Sequence, residues 1–420
     1  WLYYADYLDR EKPVIKLNQD IIAIGKKKDI GFTLTDRASG LASFTVDITQ
    51  DNKPRKLMQE TLPSGTTKQK RVQLTIDTDE LKLKNGPAII RITVTDGSLF
   101  KNETILATQV RIDTVPPRID VLNPVNYINQ GGTGFITYRL SKPATVTGVY
   151  VDDRFSPGHT ILINNRPTSV TYFALPISAT NAKTRISIFA RDDAGNETRV
   201  SMPYTIKPKK FRADKVDLSN TFLQHKMPEF QSMVPALQGK PPLDVFAYVN
   251  TTLREDNTKT IQSLCGKSIN KKLWEGAFLR MRNGKPMALF GDERTYLVDK
   301  KPFGNSIHLG VDLASTAHAA IEAANHGIVV FAGPLGIYGN AIIIDHGLGL
   351  FSLYGHLSVI ETTVGKNVKK EEKIGLSGLT GLAGGDHLHF SILAGGQFVN
   401  PQEWWDPHWI EDNVMKKMAP

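Results

Sequence analysis

Two histidines one residue apart, in the stretch GDHLHF that begins at Gly385, constrain the fold more than any other part of the chain. Around them Leu388, Phe390 and Ile392 alternate with His387, His389 and Ser391, which is the period of a strand. His387 and His389 then project from one face, about 6.5–7 Å apart along the strand. The fold has to bring suitable partners to that face, and the sequence offers them nearby. Eight of the ten histidines lie between His308 and His408. His308 and Asp312 are four apart, a spacing that fits one helix face or an extended segment, and Gly310 with the β-branched Val311 favours the extended form. Two imidazoles and a carboxylate make a three-ligand zinc set with an open fourth position, the pattern of a catalytic rather than a closed structural site. His356, in the alternating run from Leu353 to Leu357, supplies a further acid/base imidazole. His318, His326 and His408 read as structural, and His346, set among turn residues, as structural or supporting.

The motifs H-x-x-x-D, Y-x-H-L and G-x-H-L-H-F occur in this order, with GKNVKKEEKIGLSGLTG from Gly365 between the last two. Together they resemble the lysostaphin-like zinc metalloendopeptidases, the LytM-domain peptidases of bacterial cell walls, over residues 290–405. The resemblance implies an antiparallel β domain with a groove. It implies one zinc ion held by His308, Asp312 and His389, with His356 and His387 flanking the reacting water and handling protons or transition-state charge. It also implies peptidoglycan as substrate, cut in a stem or cross-bridge peptide, with Gly–Gly and D-amino-acid linkages both open. All five positions are filled, whereas degenerate members that only activate other hydrolases usually lack some of them. A non-catalytic activator and an envelope-binding module are the two alternative functions.

Upstream the pattern is β as well. Runs starting at Ile30, Phe44, Val72 and Ile90 alternate apolar and polar residues and are separated by Gly/Asn/Asp/Pro turns, the signature of an antiparallel sandwich. The pattern then restarts: the run at Pro117 echoes that at Pro13, and the run at Ile188 echoes that at Ile92. A repeat of about 100 residues is too long for a solenoid unit and fits tandem sandwiches. Expected organisation is therefore mainly β: a tether over residues 1–12, immunoglobulin-like sandwiches over 13–113 and 114–207, a helical connector over 208–272, the peptidase domain over 273–408 and a loose polar tail over 409–420. Within the connector, Ser219 is a candidate helix cap, and Pro241 and Pro242 suit the first turn of a second helix with Leu243, Phe246, Ala247 and Leu253 on one face. Asn283-Gly284 signals a hairpin between runs starting at Leu273 and Pro286.

The charge is uneven. Of the 51 basic and 42 acidic residues, residues 301–420 hold 7 Lys, no Arg and 11 acids, net −4, leaving +13 on the first 300. A basic front part, residues 1–272 above all, suits an anionic envelope polymer. Nucleic acid is not expected, because no recognition helix, aromatic-basic motif or zinc finger accompanies the charge. A single cysteine, Cys265, excludes an intrachain disulfide. No run of 18 apolar residues is present, and the first residue is Trp1, so a signal peptide or membrane anchor is expected only upstream. The expected location is the cell envelope, periplasmic or extracellular.

Overall fold

Alternation upstream of residue 113 becomes strands whose apolar positions all turn inward. The computed structural model describes residues 8–63 and 66–418. They fall into two compact units, one built on the chain up to Arg118 with Lys142–Thr145 and Ala190–Thr198, the other on Ile119–Ser141, Val146–Phe189 and the chain from Arg199. The protein is mainly β, with several sheets and a short helical region.

In the first unit a three-stranded and a five-stranded sheet enclose one core. Ile30, Phe32 and Leu34 on one strand, Phe44, Val46 and Ile48 on the next, and Ile90, Ile92 and Val94 on a third are all buried, as period-2 patterning requires. Asp51 and Asn52, both with positive φ, form the two-residue turn joining Leu41–Gln50 to Lys53–Thr61. The tether expected at residues 1–12 lies outside the described residues as far as Tyr7. From Asp9 onward it is pinned, since Asp9 accepts from the Ser39 backbone N–H at 3.2 Å and the Asn102 amide donates to the Asp9 carbonyl at 3.0 Å.

The second unit is organised by an eight-stranded, wholly antiparallel sheet. Its middle runs Val311–Ala314, Leu388–Ala394, Leu350–Leu357, Asn340–Asp345 and Gly327–Pro334. Leu350–Leu357 and Leu388–Ala394 are buried along their whole length. One hydrophobic cluster runs from this sheet into strands upstream of residue 175: Tyr172 packs edge-on to Trp404 at 5.7 Å, and Trp404 on Trp274 at 5.4 Å. The first strands of the unit and the metal-motif domain therefore share a core.

Helices occupy the connector. Ser219 caps Asn220–Met233, its hydroxyl accepting from the Phe222 N–H at 3.1 Å. Pro242–Tyr248, a π-helical turn Val249–Leu253 and Arg254–Leu264 follow without a break. The buried apolar positions there are Val245, Phe246, Val249 and Ile261, while Leu243, Ala247 and Leu253 are half-buried, because the inward face runs through Val245 and Val249, four apart, rather than through Leu243 and Ala247. Among the described residues no helix is long and apolar enough to cross a membrane.

Three expectations fail. The connector is not purely helical: Ala213–Asp217 is a strand that pairs in parallel with Glu293–Val298. No hairpin forms at Asn283-Gly284. Asn283 does take φ +54° and the Gly284 N–H closes on the Met281 carbonyl, but Lys285–Ala288 pairs with Val311–Ala314 instead. Residues 273–281 stay irregular because Trp274 and Phe278 are drawn into the core, and their backbone bonds go to His346, Trp404 and Ala324. Finally, residues 407–418 are helical and packed, not loose, with Ile410 and Val414 buried four apart on one face. Lys417 donates to the Asn126 side chain at 2.8 Å and the Phe135 carbonyl at 3.1 Å.

Candidate metal centre

Strand register assembles the site. Asp312 on Val311–Ala314 lies opposite His389 on Leu388–Ala394, and His389 lies opposite Gly355 on Leu350–Leu357. His356 follows Gly355. His308 sits just outside a strand, between Lys301–Ile307 and Val311–Ala314. His387 immediately precedes the Leu388–Ala394 strand and forms a bridge with Gly378. All five residues singled out in the sequence meet at one place.

The donor set can be worked out atom by atom. His308 Nδ1 lies 3.0 Å from the Leu289 carbonyl, which can only accept, so Nδ1 carries the proton and Nε2 a lone pair. Ser391 donates its hydroxyl to the Leu309 carbonyl at 2.9 Å, so its oxygen accepts from His389 Nε2, also at 2.9 Å. His389 Nδ1 is then the lone-pair atom. These two nitrogens lie 3.1 Å apart, and each is 2.9 Å from Asp312 Oδ1. Three acceptor atoms face one another with no proton to share, an arrangement that calls for a cation. Zinc–ligand bonds of ~2.0–2.1 Å imply ligand separations of ~3.3 Å in a tetrahedron, a few tenths of an ångström wider than those seen. The residues fit zinc.

Burial and charge act together here. Burial raises the Asp312 carboxyl, but the imidazoles around it, His308 foremost, outweigh burial and hold Asp312 well below the usual carboxylate range. Burial pushes His389 down to about 4 and, with the charges of His387 and His389, His356 well below its usual value. Neutral imidazole is the form that binds a metal. His387 is half-buried; burial lowers it, yet the nearby Asp312, 3.6 Å away, leaves it raised.

His356 and His387 are held in the same manner as each other. Each presents Nδ1 to a carbonyl, His356 to Thr380 and His387 to Gly385, both at 2.8 Å, which turns Nε2 towards the site, where that of His387 lies 3.6 Å from Asp312 Oδ1. Their rings are 4.8 Å apart. His356 has φ +65°, a strained conformation for a non-glycine residue at the end of a buried strand.

Residues 306–401 match the profile of peptidase family M23. The chain is 41% identical over 95 residues to the DD-carboxypeptidase/endopeptidase Mpg of Neisseria meningitidis, covering 23% of this chain and 22% of that one. It is 36% identical over 93 residues to the peptidoglycan DD-endopeptidase ShyA of Vibrio cholerae, 22% of each chain. It is also 35% identical over 95 residues to the murein hydrolase activator EnvC of Escherichia coli, 23% of each. The matched stretch thus spans under a quarter of these relatives' length. Residues 306–401 form an M23/LytM-family domain.

Several residues of the M23 site escape a reading by motif. Arg294, from the stretch GDERTY, pairs with Asp312 Oδ2 at 3.1 Å and fixes the carboxylate from outside. Leu289 and Ser391 orient the two imidazoles. Tyr338 packs edge-on to His389 at 5.3 Å, its hydroxyl pushed up to about 12 by burial, with Arg254 acting in the opposite sense. Ser391 was the only one with a sequence signal, as the next residue on the histidine face of the strand.

His346 is fully buried between the His326 carbonyl and Ser352, both at 2.7 Å, and belongs to the core. His318 and His408 lie outside the cluster, and His326 Nδ1 accepts from the Lys370 N–H. The site opens into a cavity of about 440 Å³, with the M23 histidines on one side and Val216, Leu218, Phe222 and Phe246 of the connector on the other. Lys226 and Glu229 pin the Asn220–Met233 helix to the cavity's rim: Lys226 donates to the Leu379 carbonyl, and Glu229 accepts from the Gly381 N–H at 2.8 Å. The connector covers part of the groove.

Proposed function

We propose that this protein is a zinc-dependent endopeptidase that hydrolyses peptide bonds in the stem or cross-link peptides of peptidoglycan. The observation that carries the proposal is the trio of proton-free acceptor atoms on His308, Asp312 and His389, which are the residues that would hold the ion. Bound there, zinc would supply Lewis acidity, polarising a carbonyl and lowering the pKa of water. The chain's own groups do the rest. Asp312, steadied by Arg294, gives the site its negative charge. Each of His356 and His387 works through Nε2, taking a proton from the attacking water or, as imidazolium, giving one to the leaving amine. A protonated ring beside the reacting carbonyl also offsets the developing oxyanion.

Under the same proposal the upstream sandwiches, 13–113 and 114–207, are two immunoglobulin-like domains, the protein works in the cell envelope, and residues 1–272 contact anionic envelope polymer. The names of the Neisseria and Vibrio relatives support a peptidoglycan substrate, and the name of the Escherichia relative supports the rival role of hydrolase activator. A complete set of five residues favours hydrolysis.

Four variants test the roles, read by zinc stoichiometry and by release of free amines from purified peptidoglycan. Asp312→Ala and His389→Ala should lose both metal and activity. His356→Ala and His387→Ala should keep metal while turnover falls by roughly 10²–10⁴, or about 3–5 kcal/mol of barrier. Loss of zinc from His387→Ala but not His389→Ala would reverse the two assignments. Full activity in all four would place the active site elsewhere.

A further inference from the structure

Three arginines line the cavity beside the metal centre, and two of them are spoken for. Arg212 pairs with Asp292 at 2.6 Å and Asp214 at 2.7 Å, and Arg294 with Asp312 at 3.1 Å. Arg254 has no carboxylate partner among the described residues. Its guanidinium makes one bond, from Nη2 to Asn250 Oδ1 at 3.2 Å, and its Nε is buried with no acceptor at all. Leaving a charged donor partly desolvated and unpaired is costly, by about 1–3 kcal/mol or more. The cost is offset if an anion arrives.

The position is built. Arg254 follows directly on the π turn Val249–Leu253, and such turns gather at functional sites. One helical turn further, Asn257 accepts from the Ile337 N–H at 2.8 Å and fastens the helix to the Gly336–Tyr338 turn. Residues three apart share a helix face, so this anchor sets Arg254 towards Tyr338, whose ring packs on His389. Arginine and phenol line the same cavity as the catalytic imidazoles.

We propose that Arg254, with the Tyr338 hydroxyl, is a carboxylate-binding subsite that selects peptides carrying a free carboxylate close to the scissile bond. It deepens the endopeptidase reading and rests on it for the identity of the peptide. A planar guanidinium is suited to a carboxylate because it can donate two parallel hydrogen bonds, whereas a carboxamide offers only one acceptor oxygen and no charge.

Two measurements keep the subsite and the activity apart. In the first, the metal-free protein of residues 1–420 is titrated with N-acetyl-D-alanine and with its carboxamide, followed by ligand-observed NMR. The carboxylate should bind about tenfold more tightly or better. That difference should vanish in Arg254→Gln and persist in part in Arg254→Lys, with melting curves showing that both variants are folded. In the second, zinc-loaded protein is given a cross-linked muropeptide dimer and the same dimer with its carboxylates amidated. The ratio of kcat/KM for the two should fall to about one in Arg254→Gln. Equal binding of acid and amide by the unaltered protein, or a preference that survives in Arg254→Gln, overturns the subsite whatever the cleavage assay gives. Cleavage of neither dimer, with the binding preference intact and lost in Arg254→Gln, overturns the endopeptidase reading and leaves the subsite standing.

Discussion

Replacing Glu403 with glutamine should make the protein more stable in alkali and change little in mild acid. Glu403 is 5% exposed, wedged against the start of the Thr133–Leu140 strand. Its oxygens accept from the Asn129 amide and the Thr133 backbone N–H, both at 2.7 Å, and the charge of Lys209 adds a smaller favourable effect. Burial dominates those favourable contacts and raises its carboxyl from 4.5 to about 7. A carboxyl with a raised folded pKa favours the folded state only while protonated. Its contribution is full below the unfolded value near 4.5 and is lost as pH rises through 7. At about 1.4 kcal/mol per unit, the ionised form costs about 3 kcal/mol above pH 8. The substituted glutamine would carry no charge, and a flip of the Asn129 amide would let it meet a donor on one side and an acceptor on the other. The assay is denaturant unfolding of zinc-loaded protein at pH 5 and pH 8.5, followed by tryptophan fluorescence, since Trp404 is the neighbouring residue and Trp274 packs on it. At pH 5, where under about 1 kcal/mol of the penalty has appeared, Glu403→Gln should differ little, and at pH 8.5 a gain of about 3 kcal/mol is expected. A variant less stable at pH 8.5 would show that the two donors and Lys209 outweigh burial, and the reasoning would fail.

Arg294→Gln removes the charge that holds the outer oxygen of Asp312, and zinc affinity measured by chelator competition should drop about 10–100-fold, with the fold intact. Unchanged affinity would make Arg294 a bystander. A fragment starting at Leu273 lacks Phe135 and Tyr172 from the shared core and should show no cooperative melt even with zinc, whereas one starting at Ile119 should melt sharply. Sharp melting of the shorter piece would restore the independent domain expected from the sequence. Binding to an anionic polymer such as teichoic acid should weaken as salt rises, because charges more than ~10 Å apart are screened at 0.1 M. Indifference to salt would remove the role assigned to the basic residues of 1–272.

How much of this was legible depends on the range over which each signal acts. The motif residues were readable because strand period and a short gap specify their geometry: alternation puts His387 and His389 on one face, and an extended HLGVD brings Asp312 opposite His389. Patterned strands such as Lys27–Thr35 and Leu41–Gln50 were readable for the same reason, since one buried face is a local property of sequence. Residues 273–281 and 407–418 were misread because their structure is decided at long range. Trp274, Phe278 and Trp404 leave regular pairing, or make a helix of a polar stretch, in order to reach a common core. Tertiary burial of aromatic surface then overrides the local turn signal of Asn283-Gly284. Arg294, Ser391 and Tyr338 lie between these cases. Only Ser391 is marked locally, by its place on the histidine face of the strand, yet each is dictated once the histidines are placed, because a buried metal centre needs its ligands oriented from behind. Arg254 is the limiting example, 54 residues before the first ligand and outside the matched domain. The bond from Ile337 to Asn257 and the burial of Val249 and Ile261 against Ile337 and Tyr338, which join a connector helix to a turn beside His389, bring it into the site. Under the carboxylate-subsite proposal, specificity in this protein is to be looked for in the connector, whose cavity-lining residues are free of the constraints that metal chemistry places on the M23 strands.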